Sequence, residues 1–303
     1  MPLARPLLLT GLAAVAAAAR WRAAAGADPV DVRRKIAIAT WRAPREGRLM
    51  SRVEIDADPV LDYVAERRGQ GAQGLSVMHV VGAAAARAFD AVPSANSRVL
   101  GGHLVPFPDI SVGFAVDIGR GTDLAPLKIP AADRLTPAEL ATEVWHGVRA
   151  LREGRDAGFR RSGRIAAALP TPLMRPVLAV GSLVLGGLGR PLLGQPGHPL
   201  GSVFVSNIAP LGVEEVFMAP IPFSRAHVYI ALGATTERPV VRDGAVVPAR
   251  QFTLCFTGDH RIVDGVQAAL YVNRVRELLT QPDVLDRPVV LDRPGVLDQP
   301  AGR

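Results

Sequence analysis

The apolar residues of this chain change their spacing along its length, from a period of two to a period near 3.6 and back, and that alternation restricts the fold more than any other feature. Val53, Ile55 and Ala57 alternate with polar partners, the pattern of a half-buried strand. Asp58 followed by Pro59 predicts a helix start, a capping side chain with proline at the first position, and the helix runs to about Arg68. After a loop, Ser76 caps a second helix over Val77 to Phe89, ended by Pro93. Two strand-like runs follow, about 98–105 and 109–118, and in the second Ile110, Val112, Phe114 and Val116 share one face. Thr136, Pro137 and Glu139 form a capping box for a helix that reaches about Glu153. Strands are expected at Ser202 to Ser206, Ala226 to Gly233 and Gln251 to Thr257. Pro239 to Val241 and Ala245 to Val247 flank Asp243-Gly244, a tight-hairpin signal, and a last helix covers Val266 to Thr280. Strands mixed with helices in this order give an α/β or α+β domain with antiparallel pairing toward the C-terminus.

Composition narrows the function. A single cysteine among 303 residues excludes a disulfide framework and any multi-cysteine metal site. The net charge of +7 does not describe a nucleic-acid binder: lysine occurs only at Lys35 and Lys128, the arginines are spread along the chain, and aromatic residues make up only 5%. The mean hydropathy of +0.20 is high for a soluble protein, and the excess sits in two segments. Leu7 to Ala19, between Arg5 and Arg20, is too short for a transmembrane helix of roughly 20 residues. It has the form of a signal or anchor, or of an alanine-rich extension. Ala166 to Leu193 is broken by Pro170, Pro172, Pro176 and Pro191, and reads as interrupted helices packed on the protein or lying in a membrane interface. At the C-terminus a Val-Leu-Asp-Arg/Gln-Pro repeat begins at Val284, Val290 and Val296, and its prolines forbid a helix.

The chemistry concentrates in Asp259-His260-Arg261-Ile262-Val263-Asp264-Gly265, which joins the last strand to the last helix. It sets an imidazole at a strand end and a carboxylate four residues later at a helix start. An imidazole can be neutral and accept a proton near pH 7, so His260 is a candidate general base; a merely polar loop is the plainer alternative. Cys255 sits mid-strand and reads as a small buried hydrophobe. His79, His103, His146, His198 and His227 show no metal-ligand spacing, and no glycine-rich phosphate loop with a following lysine appears.

The same heptapeptide resembles the His-x-x-x-Asp-Gly signature of the chloramphenicol acetyltransferase superfamily, and within it the catalytic domain of the dihydrolipoyl acyltransferases of 2-oxoacid dehydrogenase complexes. Further motifs follow in that family's order: Arg34-Lys35-Ile36-Ala37, Ala95-Asn96 after Pro93, Ser206-Asn207 at a strand end, Leu211-Gly212-Val213, Arg238 to Val241 and Asp243-Gly244. The resemblance covers about Val32 to Leu285. It implies a two-layer α+β sandwich, a mixed sheet with helices on one face. It implies a coenzyme A-dependent acyltransferase in which His260 is the base, Ser206 donates to the oxyanion, and Asp264 pairs with Arg34 to hold the histidine loop. Asn207 and Gly265 would support the site. The His and the Ser would come from neighbouring subunits of a homotrimer, or of a multiple of trimers, with acyl-coenzyme A as substrate and no metal. A non-catalytic trimeric scaffold with the same fold is the alternative.

The expected domain plan is an extension at 1–31, a catalytic domain at 32–285 carrying an apolar insertion at about 157–201, and a disordered tail at 286–303. Neither Lys35 nor Lys128 lies in a lipoyl-type hairpin, so no lipoyl attachment is expected in this chain, and a lipoyl-bearing protein is the expected partner. The expected location is the cytoplasm, with a membrane surface as a second partner through the N-terminal segment.

Overall fold

The computed structural model describes residues 47–117, 124–156, 158, 160–161, 171–221 and 223–287. The expectations for the 1–31 extension, for Arg34 and its pairing with Asp264, and for the repeat beyond Arg287 lie outside the described residues.

β1 (Arg48–Asp56) leads directly into α1 (Ala57–Gly69). Asp58 is not the cap; the helix begins at Ala57, and the Asp58 carboxylate instead accepts from Arg250 at 2.7 Å. Pro59 is tolerated because it sits in the first turn, where backbone N–H groups have no helical partner in any case. α2 (Val77–Arg87) starts at Ser76, whose capping is reciprocated by the His79 ring, and continues as a 3₁₀ turn to Asp90. The run expected as one strand at 98–105 is a hairpin, β2 (Ser97–Leu100) and β3 (His103–Pro106), because Gly101 and Gly102 take φ of 61° and 86°. β4 (Val112–Asp117) and β5 (Leu124–Ile129) follow, then α3 (Pro137–Arg152) behind the Thr136–Glu139 capping box.

Within the expected insertion, α4 (Thr171–Gly181) contains Pro176 and passes into a single π-helical turn at Ser182–Gly187. That turn docks on the β2–β3 hairpin: Arg98 Nε donates to Gly187 O at 2.8 Å. β6 (Val203–Asn207), β7 (Val228–Leu232), β8 (Thr236–Arg242), β9 (Ala245–Asp259) and α5 (Gly265–Thr280) complete the chain. The β8–β9 hairpin turns at Asp243 and Gly244, both at positive φ, as the Asp-Gly pair predicts. Its second arm and the strand expected separately at 251–257 are one continuous 15-residue strand.

The main sheet runs β1-β9-β7-β6-β4-β5, with β8 on the outer half of β9. β6 is parallel to both β4 and β7, and the other pairs are antiparallel. The period-two residues all face one way: Val53 and Ile55, Phe252, Leu254 and Phe256, Val228 and Ile230, Val203 and Val205, and Val112, Phe114 and Val116 form one core with the helices. α2 lies deepest, with Ala83 to Ala86 fully buried. A Cβ at Gly82 would lie 2.6 Å from the Phe114 ring, so a glycine there lets the helix settle on β4. The opposite face carries a smaller cluster of Leu200, Phe204, Ala226 and Tyr229.

Candidate active site

His260 follows β9 in a turn fixed from several sides. The Asp259 N–H donates to His227 O at 3.2 Å and the His260 N–H to Gly47 O at 2.7 Å, tying the strand end to the chain on both flanks. Ile262 and Val263 donate back to Asp259 O at 2.9 and 3.2 Å, and both side chains are buried. Asp259, also buried, is held by Arg261 in a two-pronged ion pair, with Arg261 Nε 2.9 and 3.0 Å from its two oxygens. His260 Nδ1 lies 2.8 Å from Val263 O. A carbonyl only accepts, so Nδ1 carries a proton, and in the neutral ring this tautomer leaves the lone pair on Nε2.

Asp264 is the N-cap of α5: its Oδ1 accepts from the Val266 and Gln267 N–H groups, each at 3.1 Å, and Gln267 reaches back to the Asp264 N–H. The capping role has a clear sequence signal, Asp264 three residues before Gln267, that the reading of the motif passed over. Gly265 opens the helix, and a side chain there would meet nothing within 4 Å in this chain.

Ser206 sits at the far end of β6, half-buried and on the face away from the helices. Asn207 Oδ1 accepts from the Ala209 N–H at 3.1 Å and caps the turn that leaves the strand. The register shows that one chain does not bring Ser206 and His260 together. Ser206 pairs with Ala231, and Ala231 with Cys255, so Ser206 lies level with Cys255 while His260 comes five residues further along β9. At about 3.3 Å per residue and 4.8 Å per strand, the two are roughly 15–20 Å apart, at opposite ends of the sheet.

The remaining candidates take structural places. Cys255 is buried, and burial raises its thiol pKa. His79, His198 and His227 are each pushed down to about 4, mainly by burial, so all three are neutral in the folded protein near pH 7. Lys128 donates from Nζ to Gly197 O at 3.1 Å. Among the described residues, no group of histidine, cysteine and carboxylate side chains is arranged to hold a metal ion. Nor, among them, is any helix long and apolar enough to cross a membrane.

Sequence reasoning missed one feature of the site. Beside the histidine turn lies a cavity of about 230 Å³ bounded by Val99, Ser182, Ile221, Arg225, Asp259 and Arg261. Arg225 takes a left-handed φ of 58°, and its Nη1 donates to Val99 O at 2.8 Å. Nothing local marks Arg225, because its partner lies 126 residues away in the chain.

Residues 31–157 and 200–286 match the family model for the 2-oxoacid dehydrogenases acyltransferase (catalytic domain), and 158–199 fall outside the match. The dihydrolipoyllysine-residue acetyltransferase component of the acetoin cleaving system of Bacillus subtilis is 26% identical over 212 residues, 70% of this chain and 43% of that protein. The chain spans less than half the length of the curated relatives it matches. In the cubic core of a pyruvate dehydrogenase multienzyme complex, the protein chain superposes with a TM-score of 0.57 at 18% identity, over 78% of this chain and 83% of that one. Chloramphenicol acetyltransferase gives 0.50 at 15% identity, over 84% and 99%. The mixed sheet with helices on one face is therefore the fold these proteins share.

Proposed function

Because this chain belongs to the family of 2-oxoacid dehydrogenase acyltransferases, through their catalytic domain, we propose that it exchanges an acyl group between the thiols of coenzyme A and a dihydrolipoyl group, with His260 as base and Ser206 as oxyanion donor. His260 Nε2 takes the proton of the attacking thiol as its sulfur bonds to the thioester carbon. The carbonyl oxygen becomes an oxyanion, to which the Ser206 hydroxyl donates. The old carbon–sulfur bond then breaks, and the imidazolium returns its proton to the departing thiolate. The exchange needs no redox partner, and its bonds and protons balance.

The hydrogen bond from Nδ1 to the Val263 carbonyl carries this reading, since it sets the tautomer that leaves Nε2 basic. The opposite placement of Ser206 and His260 supports a centre assembled from two copies, His260 of one and Ser206 of the next. A head-to-tail ring closes such an arrangement, and the homotrimer that the family resemblance implies is the assembly proposed here. The lipoyl group is proposed to arrive on a protein that bears it.

Transfer from acyl-coenzyme A to dihydrolipoamide tests this. His260→Ala should lower kcat by about 10²–10⁴-fold and Ser206→Ala by about 10²–10³-fold. No transfer from any of a panel of acyl donors, with oligomers intact, would leave the scaffold role instead.

A further inference from the structure

The cavity beside the histidine turn is charged in a way the acyl-exchange chemistry does not require. Ser182, in its wall, belongs to the segment outside the family match. Arg225 reaches across it, with Nη1 on Val99 O and Nε 3.4 Å from Ser182 Oγ. A left-handed backbone at a residue other than glycine is strained and persists only where its surroundings hold it. Near Arg225, which also packs against Gly187, lies Arg98, 7% exposed, whose guanidinium donates to the carbonyls of Gly187, Val105 and Pro106.

The charges in this region do not cancel. Burial lowers the pKa of Arg225, with Arg261 adding to the effect; burial also lowers that of Arg98, to about 10, with Arg225 adding. Asp259, the carboxylate in the cavity wall, is taken in two-pronged fashion by Arg261. Among the described residues, neither Arg98 nor Arg225 forms an ion pair. Arg98 is buried and Arg225 half-buried, and cations so withdrawn from water without an acid favour an anion, while a guanidinium fork matches the plane of a carboxylate. Val99, Ile221 and Ile262, also in the wall, are aliphatic and suit a short methylene chain.

We infer that this cavity receives a carboxylate at the far end of the acyl group, so that the enzyme favours monothioesters of short dicarboxylic acids over neutral acyl groups of the same length. The inference rests on the acyltransferase reading above, and it makes Arg225 a specificity-determining residue.

Transfer rates from succinyl- and butyryl-coenzyme A to dihydrolipoamide are compared on the same preparation, so that the ratio does not depend on the folded fraction. The wild type should prefer the succinyl donor, and Arg225→Gln should cut the ratio of kcat/KM values about 10–100-fold, the worth of a charge-assisted hydrogen bond. Arg225→Lys should keep part of it, and Arg242→Gln, on the exposed β8 arm, should not move it. An unchanged ratio in Arg225→Gln, or a wild-type preference for butyryl, overturns the inference.

Calorimetric titration with glutarate reads the cavity without any transfer. Binding that Arg225→Gln abolishes supports the cavity even where no donor is turned over, an outcome that would sink the transfer reading alone. Binding of inorganic phosphate in place of glutarate, or of neither, overturns the carboxylate assignment.

Discussion

At the scale of single residues, Asp264 acts on the fold as a helix cap. Its carboxylate closes the first turn of α5 and so fixes where the histidine turn ends. Asp264→Ala should cost about 1 kcal/mol, within the 0.5–2 kcal/mol range of lost caps, whereas Asp264→Asn, still an acceptor, should cost only a few tenths. Urea unfolding separates the two, and equal losses would mean that the charge rather than the cap matters. The buried histidines set a second expectation. Each is held near 4 in the fold, below the ordinary value of 6.5, so the unfolded chain binds more protons between those limits. Stability should be fully present above about pH 6.5 and decline as the pH falls toward 4. His227→Gln should flatten that decline in denaturation midpoints taken across the interval. A midpoint that rises on acidification would contradict it.

The elements were legible where their signals are local. Capping by Thr136 and Glu139, alternation in β4 and the Asp243-Gly244 turn each depend on a few adjacent residues, and each appears where the pattern puts it. The misreadings were local conflicts. Asp58-Pro59 carries a start signal, but Ala57 already packs as helix, fully buried. The apolar run at 98–105 hid the turn at Gly101-Gly102. What no pattern gave was the lateral order of strands, since the parallel pairing of β6 with β4 and β7 joins segments separated by helices and loops. The Arg98 and Arg225 pair was hidden for the same reason. Gly82 is an element-scale test of close packing: Gly82→Ala raises helix propensity, yet its methyl group meets Phe114, so it should destabilise by about 1–3 kcal/mol in thermal or urea unfolding. A stabilised variant would mean that α2 can lift off β4 freely.

At the scale of the whole molecule, one register determines what must be tested. Ser206 and His260 occupy opposite ends of the sheet, so activity should depend on association. Mixing denatured Ser206→Ala and His260→Ala chains and refolding them together should restore activity above either variant alone, because some sites receive both intact groups. Failure of mixed oligomers to recover any activity would place both groups of each site in one chain. The sequence suggested a site shared between subunits only through family resemblance; the register that separates the two residues, with Ser206 level with Cys255, is a matter of pairing that spacing does not encode.

The pairing of β1 with β9 has a kinetic side. Arg48 meets Asp259, and Asp56 meets Gln251, across most of the described chain. On a ribosome adding roughly 5–20 residues per second, β1 emerges and then waits of order ten seconds or more for its partner. During that interval its apolar face, Val53 and Ile55, lacks β9 and α5, the elements that β1 packs against, and the edge of the strand that β9 will cover stays open. Closing so long a loop is slow on general grounds. The nascent chain is therefore exposed to aggregation until its last strand is made, and α5 can seat on β1 only after that.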